Sequence, residues 1–400
     1  FAHPVLPAAT ALRPSAPAVA ARDTLAEAPP SRVVQTSDGR MTVDYRWSLW
    51  GIPLVNGYDP FLLSRYREML GDMPYWGQLS AAAVAQRPWA FDVLNARLLV
   101  LDKKPAAPSP NGLGVFLAPG EPLDLVPPAP QPATSVALLT ALTHGSEIGD
   151  SEPVARLTVW DAGGTAASVL LRAGEHTAQW TWEASGGAVR IRHRRAPLPE
   201  RRTWMPPRAP YYQALLHLPE ALDVARLRLE PIHPQGGLAV YGVTLRDRAS
   251  GIELPLRGAD ALRAHPERWA LRIDRPRFAL YENRRAQPRA WLVRETVALD
   301  PAAQLAAMRT GRLPDGRPFD PALLALVDDH PARDRGPLGD SAVRVIAEAP
   351  NEIEIETRSA KPAFLVSSEV FYPGWHAAVD GVAVPIVRAR WAWMSRTVIP

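Results

Sequence analysis

Short segments in which apolar and polar residues alternate dominate the middle of the chain. This two-residue period puts the apolar side chains on one face of a strand, and it occurs at Leu157 to Val159, Trp180 to Trp182, Val189 to Ile191 and Leu227 to Leu229. Further candidate strands cover 136 to 142, 166 to 172, 211 to 217 and 238 to 245. About eight short strands separated by turns predict a jelly-roll-like β-sandwich over residues 133 to 257.

Helical periodicity lies on either side of this sandwich. One set of apolar residues recurs at helical spacing, namely Leu62, Leu63, Tyr66, Met69 and Leu70. Asp59-Pro60 before the set favours a helix start, and Gly71 after it favours a helix end. Asp300-Pro301 and Gly311 predict a second helix in the same way. Residues 96 to 101 predict a buried strand, because their apolar run is short and is bounded by polar residues.

These patterns predict an α+β, mostly β, fold: a mixed α/β unit interrupted by the sandwich and followed by a small C-terminal β unit. Because neither α/β segment has enough strands to cover its helices, we expect the two to pair with each other. The predicted segments are a Pro/Ala-rich stalk (1–31), the first part of the α/β unit (32–104), a Pro-rich linker (105–132), the sandwich (133–257), the second part of the α/β unit (275–335) and the C-terminal β unit, which we expect to be truncated (341–400).

Composition and charge exclude several classes of function. The chain has 45 basic and 41 acidic residues, and the arginines are interleaved with the acids. Nucleic-acid binding needs a concentrated basic face, so we expect no nucleic-acid partner. The absence of cysteine, and of two histidines four residues apart, argues against the common zinc sites, and we expect neither a metal nor another cofactor in this chain.

The sequence lacks a membrane span of its own but resembles part of a longer protein. No run of about 18 apolar residues occurs. The start at Phe1, without an initiator Met, predicts that the chain is a piece of a larger gene product.

Tryptophan is the most informative residue type for binding. The chain has 13 tryptophans, and their faces stack on sugar rings as well as on one another. Trp160, Trp180 and Trp182 lie in predicted strands, where we expect them to pack in the core, while Trp375 remains open as a sugar platform.

Three segments in this order resemble one protein family. They are Asn56-Gly57-Tyr58-Asp59-Pro60 running into Arg65-Tyr66-Arg67, then Tyr281-Glu282-Asn283 with Pro288-Arg289-Ala290, and finally Ser367 through Tyr372-Pro373-Gly374-Trp375 to Val379-Asp380-Gly381. Together with Leu94-Asn95-Ala96-Arg97 they resemble the extracytoplasmic C-terminal half of the bacterial YfhO-like polytopic membrane proteins. The resemblance covers nearly the whole chain, and its most specific part is the Tyr-Pro-Gly-Trp turn followed by Val-Asp-Gly.

The resemblance implies a membrane-spanning N-terminal half, similar to the glycosyltransferases that use a polyprenyl-phosphate sugar as donor. It implies a location at the periplasmic face of the cell inner membrane and a role in cell-surface glycan modification. The catalytic acid of such enzymes lies in an early loop between membrane helices, so no catalytic residue is expected in this chain. The implied partners are a cell-surface glycan or lipid-linked sugar and the protein's own membrane-spanning half.

Two other functions remain open on the sequence. One is a non-catalytic carbohydrate-binding or assembly module of the cell envelope, with binding by the sandwich. The other is a soluble glycosidase, which would need two carboxylates about 5 to 10 Å apart across a cleft.

Our candidates for glycan binding combine aromatic faces with amide and carboxylate groups, which together recognise the faces and hydroxyls of sugars. They are Asn56, Tyr58, Asp59, Tyr66, Asn283, Tyr372 and Trp375. Asp59 is also a natural helix cap, so its role stays open between the two.

Overall fold

A computed structural model describes residues 13–37, 43–57, 64–71, 77–103, 113–182, 190–198, 211–328, 333–334, 336–349, 351–370, 374–389 and 393–398. Within them the chain is an α+β protein that is mostly β, as the alternation predicts. The helices are α1 (Ala16–Ala26), a 3-10 helix (Tyr45–Trp50), α2 (Ser64–Met69), α3 (Ala81–Gln86), α4 (Pro88–Val93), α5 (Gly258–Arg263) and α6 (Pro301–Thr310).

The strands follow one another as β1 (Arg32–Ser37), β2 (Ala96–Asp102), β3 (Val115–Leu117), β4 (Leu123–Leu125), β5 (Gln131–Thr143), β6 (Pro153–Trp160), β7 (Ala166–Arg172), β8 (Tyr212–Val224), β9 (Arg226–Pro231), β10 (Gly237–Arg246), β11 (Glu253–Leu256), β12 (Trp269–Arg275), β13 (Phe278–Asn283), β14 (Ala290–Val293), β15 (Glu295–Ala298), β16 (Leu324–Val327), β17 (Arg333–Asp334), β18 (Ser341–Ala349), β19 (Glu352–Ser359), β20 (Ala363–Ser367), β21 (Ala377–Val379), β22 (Val382–Val384), β23 (Val387–Ala389) and β24 (Trp393–Val398).

The first sheet is assembled from chain segments that lie on both sides of the sandwich. Its strand order is β1-β2-β13-β12, with β1 and β2 parallel and the other pairs antiparallel. Leu101 of β2 lies opposite Ala279 of β13. Successive residues face opposite sides, so Val33 packs with α1 whereas Val34 packs in the main core with α3 and α4.

Helix α1 covers one face of this sheet, although its residues fall in the segment predicted as a stalk. Ala18 and Ala21 are fully buried in a small apolar cluster that also contains Trp47 and Ile52. Pro17 occupies the first helical turn, where its missing N–H costs nothing, and alanine is the best helix former. The Ala-rich segment that we interpreted as extended chain is therefore helical, because it packs on a face of the first sheet.

The other predicted helices are confirmed where the structure describes them. In α6 the Oδ1 atom of Asp300 accepts a hydrogen bond of 2.9 Å from the amide of Ala303, and Gly311 ends the helix with a φ of 67°. Helix α2 lies inside the predicted helix, whose first residues fall outside the described residues. The apolar run that ends at Val327 forms strand β16.

The β-sandwich consists of two antiparallel sheets. One has the order β11-β10-β5-β8, with β3 also paired to β10, and the other has the order β4-β9-β6-β7. Six of the predicted strand positions fall in β5 to β10, and their inward apolar residues form the main core.

The segment predicted as a Pro-rich linker also belongs to this sandwich, because β3 and β4 form within it and join different sheets. Pro119 and Pro122 lie between the two strands, and β4 is an edge strand. Proline favours extended backbone in the residue before it and is tolerated at sheet edges, so a proline-rich segment can supply short edge strands.

Residues Trp180 to Trp182 differ from their predicted strand and lie in a turn. Trp180 therefore does not fill the core as expected, and its side chain is 40% exposed. Trp160 does lie on a strand, β6, but it is only partly buried, and Arg226 lies over its ring at 5.2 Å. The two-residue pattern alone could not distinguish this turn from a strand. In the turn too, buried and exposed residues alternate, since Gln179 is buried and Trp180 is exposed.

The C-terminal part contains a sheet of order β14-β20-β24-β23, the small sheet β16-β15-β17 and two hairpins, β18-β19 and β21-β22. Strand β14 falls within the segment predicted for the α/β unit but pairs with β20 instead. The chain leaves the first sheet after Asn283, where the amide of Gln287 donates to the carbonyl of Asp92 at 2.8 Å.

A nearly buried carboxylate ties the edge of the second sandwich sheet together. Asp124 on β4 accepts hydrogen bonds from Arg226 (2.9 Å) and from both Nε (2.9 Å) and Nη2 (2.8 Å) of Arg228 on β9. Burial disfavours the ionised carboxylate, but the two guanidinium groups outweigh it and lower the pKa of Asp124 below its usual value.

We predict that Asp124→Asn lowers the free energy of unfolding at pH 7 by about 1.5–3 kcal/mol, because charge-assisted hydrogen bonds are lost. Because the pKa of Asp124 is lower in the folded state than in the unfolded state, the carboxylate stabilises the fold fully at pH values above its unfolded-state pKa of about 3.9. This stabilisation is lost as the pH falls through the folded-state pKa. The gap between wild type and variant, measured by urea unfolding, should therefore shrink from pH 7 to pH 3. Asp340→Asn, at an exposed ion pair with Arg358, is the matched control and should change little. A gap that stays constant with pH would contradict this assignment.

Candidate functional site

Asn56 lies at the outer edge of strand β1, next to the residues that pair with Val33 there, and is 1% exposed. Its Oδ1 accepts from the amide of Gln35 at 2.9 Å, and its Nδ2 donates to the carbonyls of Gln35 and Gly77, both at 2.8 Å. The side-chain amide thus pairs with the backbone of an edge strand as a neighbouring strand would, and it satisfies groups that burial would otherwise leave without partners. All of these contacts are within the fold.

Tyr66 holds the same segment from its other side. Its hydroxyl donates to the carbonyl of Val55 at 2.6 Å, and burial raises the pKa of the phenol. The structure therefore brings Asn56 and Tyr66 together, at the segment that covers the β1 edge. Their contacts are those of structural residues, and their predicted part in glycan binding stays a prediction.

Asn283 is also buried, at the end of β13. Its Nδ2 donates to Oδ1 of Asp92 at 2.9 Å and to the carbonyl of Ala96 at 3.3 Å, and its Oδ1 accepts from the amide of Arg285 at 3.0 Å. Asp92 also forms a buried ion pair with Arg268. Burial raises the pKa of Asp92, against the opposing effect of Arg268 and Asn283. Asn283 thus fixes the point where the chain leaves the first sheet.

The remaining candidates divide into two groups. Trp375 is partly exposed and directly precedes the β21-β22 hairpin. Tyr58, Asp59 and Tyr372 lie outside the described residues.

Residues from three of the four segments of the family resemblance meet through polar contacts. Arg97 and Glu282 form an ion pair of 2.9 Å on neighbouring strands. Burial disfavours ionisation of Glu282, but Arg272 and Arg97 outweigh it and lower its pKa. Asn95 donates to the carbonyl of Gln287 at 2.7 Å.

A second group of contacts joins the first sheet to the C-terminal part. Glu369 accepts from Arg32 at 2.7 Å and from Arg289 at 2.9 Å, and Arg32 also donates to the carbonyl of Ser368 at 2.8 Å. These three charged side chains are each about one-sixth exposed. The motif residues Arg289 and Glu369, together with Arg32, therefore connect the first sheet to the C-terminal part.

A cleft with a volume of about 1670 Å³ lies between α1, the 3-10 helix and the first sheet. We call it the α1 cleft. Its walls combine apolar side chains with charged and amide groups, among them Val19, Ala20, Trp47, Val100, Ile273, Phe278, Asp23, Gln35, Asp44, Arg46, Asp102, Arg275 and Arg277.

One wall of the α1 cleft is held by a hydrogen-bonded set around Asp44. Its carboxylate accepts from Nε (2.7 Å) and Nη2 (2.8 Å) of Arg46, and this contact raises the pKa of Arg46. Gln35 donates to the carbonyl of Asp44 at 3.0 Å and accepts from its amide at 2.9 Å. Asn56, one of the residues predicted for glycan binding, holds the backbone of Gln35. It therefore lies behind this wall of the cleft and supports it.

The opposite wall is formed by the first sheet. Ile273 and Phe278 supply apolar surface, and Arg275 and Arg277 are exposed at the turn between β12 and β13. A ligand in the cleft would meet hydrogen-bond donors, acceptors and apolar surface within one elongated space. This mixture suits a molecule with both apolar faces and polar edges.

Sequence reasoning missed Gln35, Asp44, Arg46 and Arg277 as lining residues of a cleft. The local signal was weak, because such polar residues occur in most loops. They line one cleft because α1 packs beside them, and α1 lies in the segment that we interpreted as a stalk. Among the described residues, no group of three or more His, Cys, Asp and Glu is arranged to hold a metal ion.

In the part of the chain that the structure describes, no helix has both the length and the apolar character needed to cross a bilayer. No protein-family model matches the chain, and neither a curated protein nor a solved structure matches it. The family resemblance therefore stays a prediction.

We predict that Asn56→Ala destabilises the protein by about 2–3 kcal/mol, because it leaves backbone groups at the β1 edge without partners. Ser48→Ala, which removes an exposed hydroxyl bonded to the carbonyl of Tyr45, is the control and should have a small effect. Both are measured by urea unfolding. A stable Asn56→Ala variant would show that this contact is dispensable and would reopen a direct binding role.

Proposed function

We propose that this chain is the extracytoplasmic part of a membrane glycosyltransferase-like protein at the periplasmic face of the inner membrane. In this proposal the α1 cleft holds a segment of a cell-surface glycan, the acceptor, near an active site in the membrane-spanning half of the same protein. The donor is a polyprenyl-phosphate sugar, and the chain positions glycan without transferring the sugar itself.

The observation that carries the proposal is the composition of the α1 cleft. Sugar hydroxyls both donate and accept hydrogen bonds, so a glycan site needs acceptors such as Asp102 beside donors such as Arg275 and Arg277. The CH faces of sugar rings pack on apolar and aromatic surface, which Ile273 and Phe278 offer here.

The size of the cleft supports an extended ligand. Sites for small molecules usually measure about 300–1,000 Å³. The α1 cleft, at about 1670 Å³, is larger and fits several linked sugar rings better than one small metabolite.

The hydrogen bonds of Asp44 support a role of the cleft in positioning the glycan and not in catalysis. Its carboxylate accepts from the backbone amide and the guanidinium of Arg46, so it holds the 3-10 helix. A carboxylate tied in this way orients a wall of the cleft and is poorly placed to exchange protons with a substrate.

We predict that the purified chain binds oligosaccharides on an array of bacterial cell-envelope glycans, and that Ala20→Trp weakens binding of the same glycans by on the order of tenfold or more. Ala20 lines the cleft, and a tryptophan there fills part of it. The affinities are measured by titration calorimetry. Arg275→Ala with Arg277→Ala should also weaken binding, because donors are removed from the sheet-side wall.

Ala342→Trp, which adds the same side chain at an exposed alanine of β18, is the matched control and should bind as wild type does. Equal binding by wild type and Ala20→Trp would exclude the cleft as the glycan site. Turnover of a saccharide by the purified chain alone would contradict the positioning role.

The whole-protein part of the proposal has a separate test in the coding sequence upstream of Phe1. Ten or more apolar spans, with an acidic residue in the first external loop, would support the glycosyltransferase-like protein. Their absence, combined with glycan binding in the cleft, would favour the carbohydrate-binding module of the cell envelope.

A further inference from the structure

A second surface of the β-sandwich has the features of a binding site. It is formed by three loop segments, residues 144–151, 173–182 and 190–198, and we call it the loop-end surface. It contains an open hollow of about 600 Å³ lined by Gly174, Glu175 and residues 194–198. None of the candidate residues predicted for glycan binding lies in it.

A buried histidine fixes these loops relative to one another. His193 is 1% exposed; its Nε2 accepts from the amide of Gln179 at 3.0 Å, and its Nδ1 faces the carbonyl of Ile148 at 3.0 Å. Since Nε2 accepts, Nδ1 carries the proton and donates to Ile148. One ring thus joins all three segments, which is the rigidity that a preorganised site requires.

Further contacts restrict the same loops. The side chain of Gln179 accepts from the amide of Gly145 at 2.9 Å, and the carbonyl of Gln179 accepts from the hydroxyl of Tyr212 at 3.0 Å. The Trp182 ring stacks on His193 with centroids 6.1 Å apart. The turn that holds Trp180 is therefore fixed on both sides.

Trp180 itself points out of this rigid base. Among the tryptophans whose side chains the structure describes, it is the exposed one. An aromatic ring that an ordered turn leaves 40% exposed forgoes part of the free energy of burial, and its exposed face can stack on a ligand.

The polar groups of the loop-end surface include an arginine held in place by backbone. The Nε of Arg194 donates to the carbonyl of Gly174 at 3.2 Å, and its amide donates to Oδ1 of Asp150 at 3.0 Å. The carboxylates of Asp150 and Glu175 lie 3.7 Å and 3.6 Å from the guanidinium, which is longer than a tight charge-assisted pair. The guanidinium is thus oriented but not saturated by a carboxylate.

Gly174 makes this arrangement possible. Its φ is 74°, and a Cβ atom at this position would overlap Oδ1 of Asp150 and the Arg194 side chain. The close approach of backbone to these two side chains therefore requires glycine.

The charges of the surface select the class of ligand. The described residues contribute Arg190, Arg192, Arg194 and Arg195 against Glu147, Asp150 and Glu175, a small positive excess. A polyphosphate carries at least one negative charge on every phosphate and has no hydroxyl groups to donate, so the three carboxylates would only repel it. An acidic oligosaccharide carries at most one carboxylate on each ring, and its hydroxyl groups can donate to such acceptors. The excess of arginine favours a saccharide that itself carries carboxylates.

We propose that the loop-end surface binds an acidic oligosaccharide that contains uronic acid residues. Trp180 stacks on a sugar ring, Arg194 pairs with a uronate carboxylate, and Glu175 accepts from hydroxyl groups. This site is separate from the α1 cleft and does not depend on the function proposed for it.

The test uses galacturonic acid oligosaccharides and their methyl esters as probes, with titration calorimetry on the full chain. We expect the free acid to bind and the ester, which keeps the sugar rings but loses the charge, to bind at least about tenfold more weakly. Trp180→Ala and Arg194→Ala should each weaken binding of the free acid by on the order of tenfold.

Arg344→Ala removes an exposed, ion-paired arginine on β18 and is the matched control, with affinity expected within about twofold of wild type. Ala20→Trp should leave uronate binding unchanged, which separates this site from the α1 cleft. Unfolding curves of each variant establish that it is folded.

Three results would overturn the proposal. They are no heat of binding for the free acid with wild type, equal affinity for acid and ester, and an equal loss in Arg344→Ala. Tighter binding of a single-stranded oligodeoxynucleotide than of the uronate would assign the surface to nucleic acid instead.

Discussion

The antiparallel pairing of β2 with β13 is the interaction on which the rest of the structure depends. Leu101 and Ala279 lie opposite each other in this pair, although the whole β-sandwich separates them along the chain. The pairing creates a sheet with two usable faces. One receives α3 and α4 in the main core, and the other receives α1 and so forms the α1 cleft.

The two proposed binding surfaces illustrate different ways of preparing a site. In the α1 cleft, the walls are separate elements, and polar residues such as Asp44 hold each wall in shape. At the loop-end surface, a single buried ring, His193, fixes three loops. In both arrangements the side chains lose conformational entropy during folding, so that less entropy is lost when a ligand binds.

Much of the fold could be predicted from residue patterns, for identifiable physical reasons. Asp300 and Gly311 mark the ends of α6 because capping depends on local backbone geometry. Strands β5 to β10 were visible because burial of one sheet face imposes alternation. The predicted α+β, mostly β, class follows from these two signals.

The predictions that differ concern segments whose structure depends on distant partners. Helix α1 and strands β3 and β4 lie in Pro-rich stretches, and each forms against a sheet that local sequence does not reveal. The same applies to sites. The amides of Asn56 and Asn283 form hydrogen bonds inside the fold, to an edge strand and at a strand end, which the sequence did not reveal; their predicted part in glycan binding stays a prediction. Trp180 was assigned to the core because turns and strands can share a two-residue pattern.

The split first sheet also has a consequence for biosynthesis. A ribosome delivers β1 and β2 well before β13, so this pair waits as an unfinished parallel ribbon while the intervening sandwich emerges and closes on itself. Pairings between remote segments form slowly, because the loop between them must close first. Until β13 arrives, the edge of β2 stays open to pairing with other chains, so the time taken to make the intervening sandwich is the period in which this protein is exposed to misassembly.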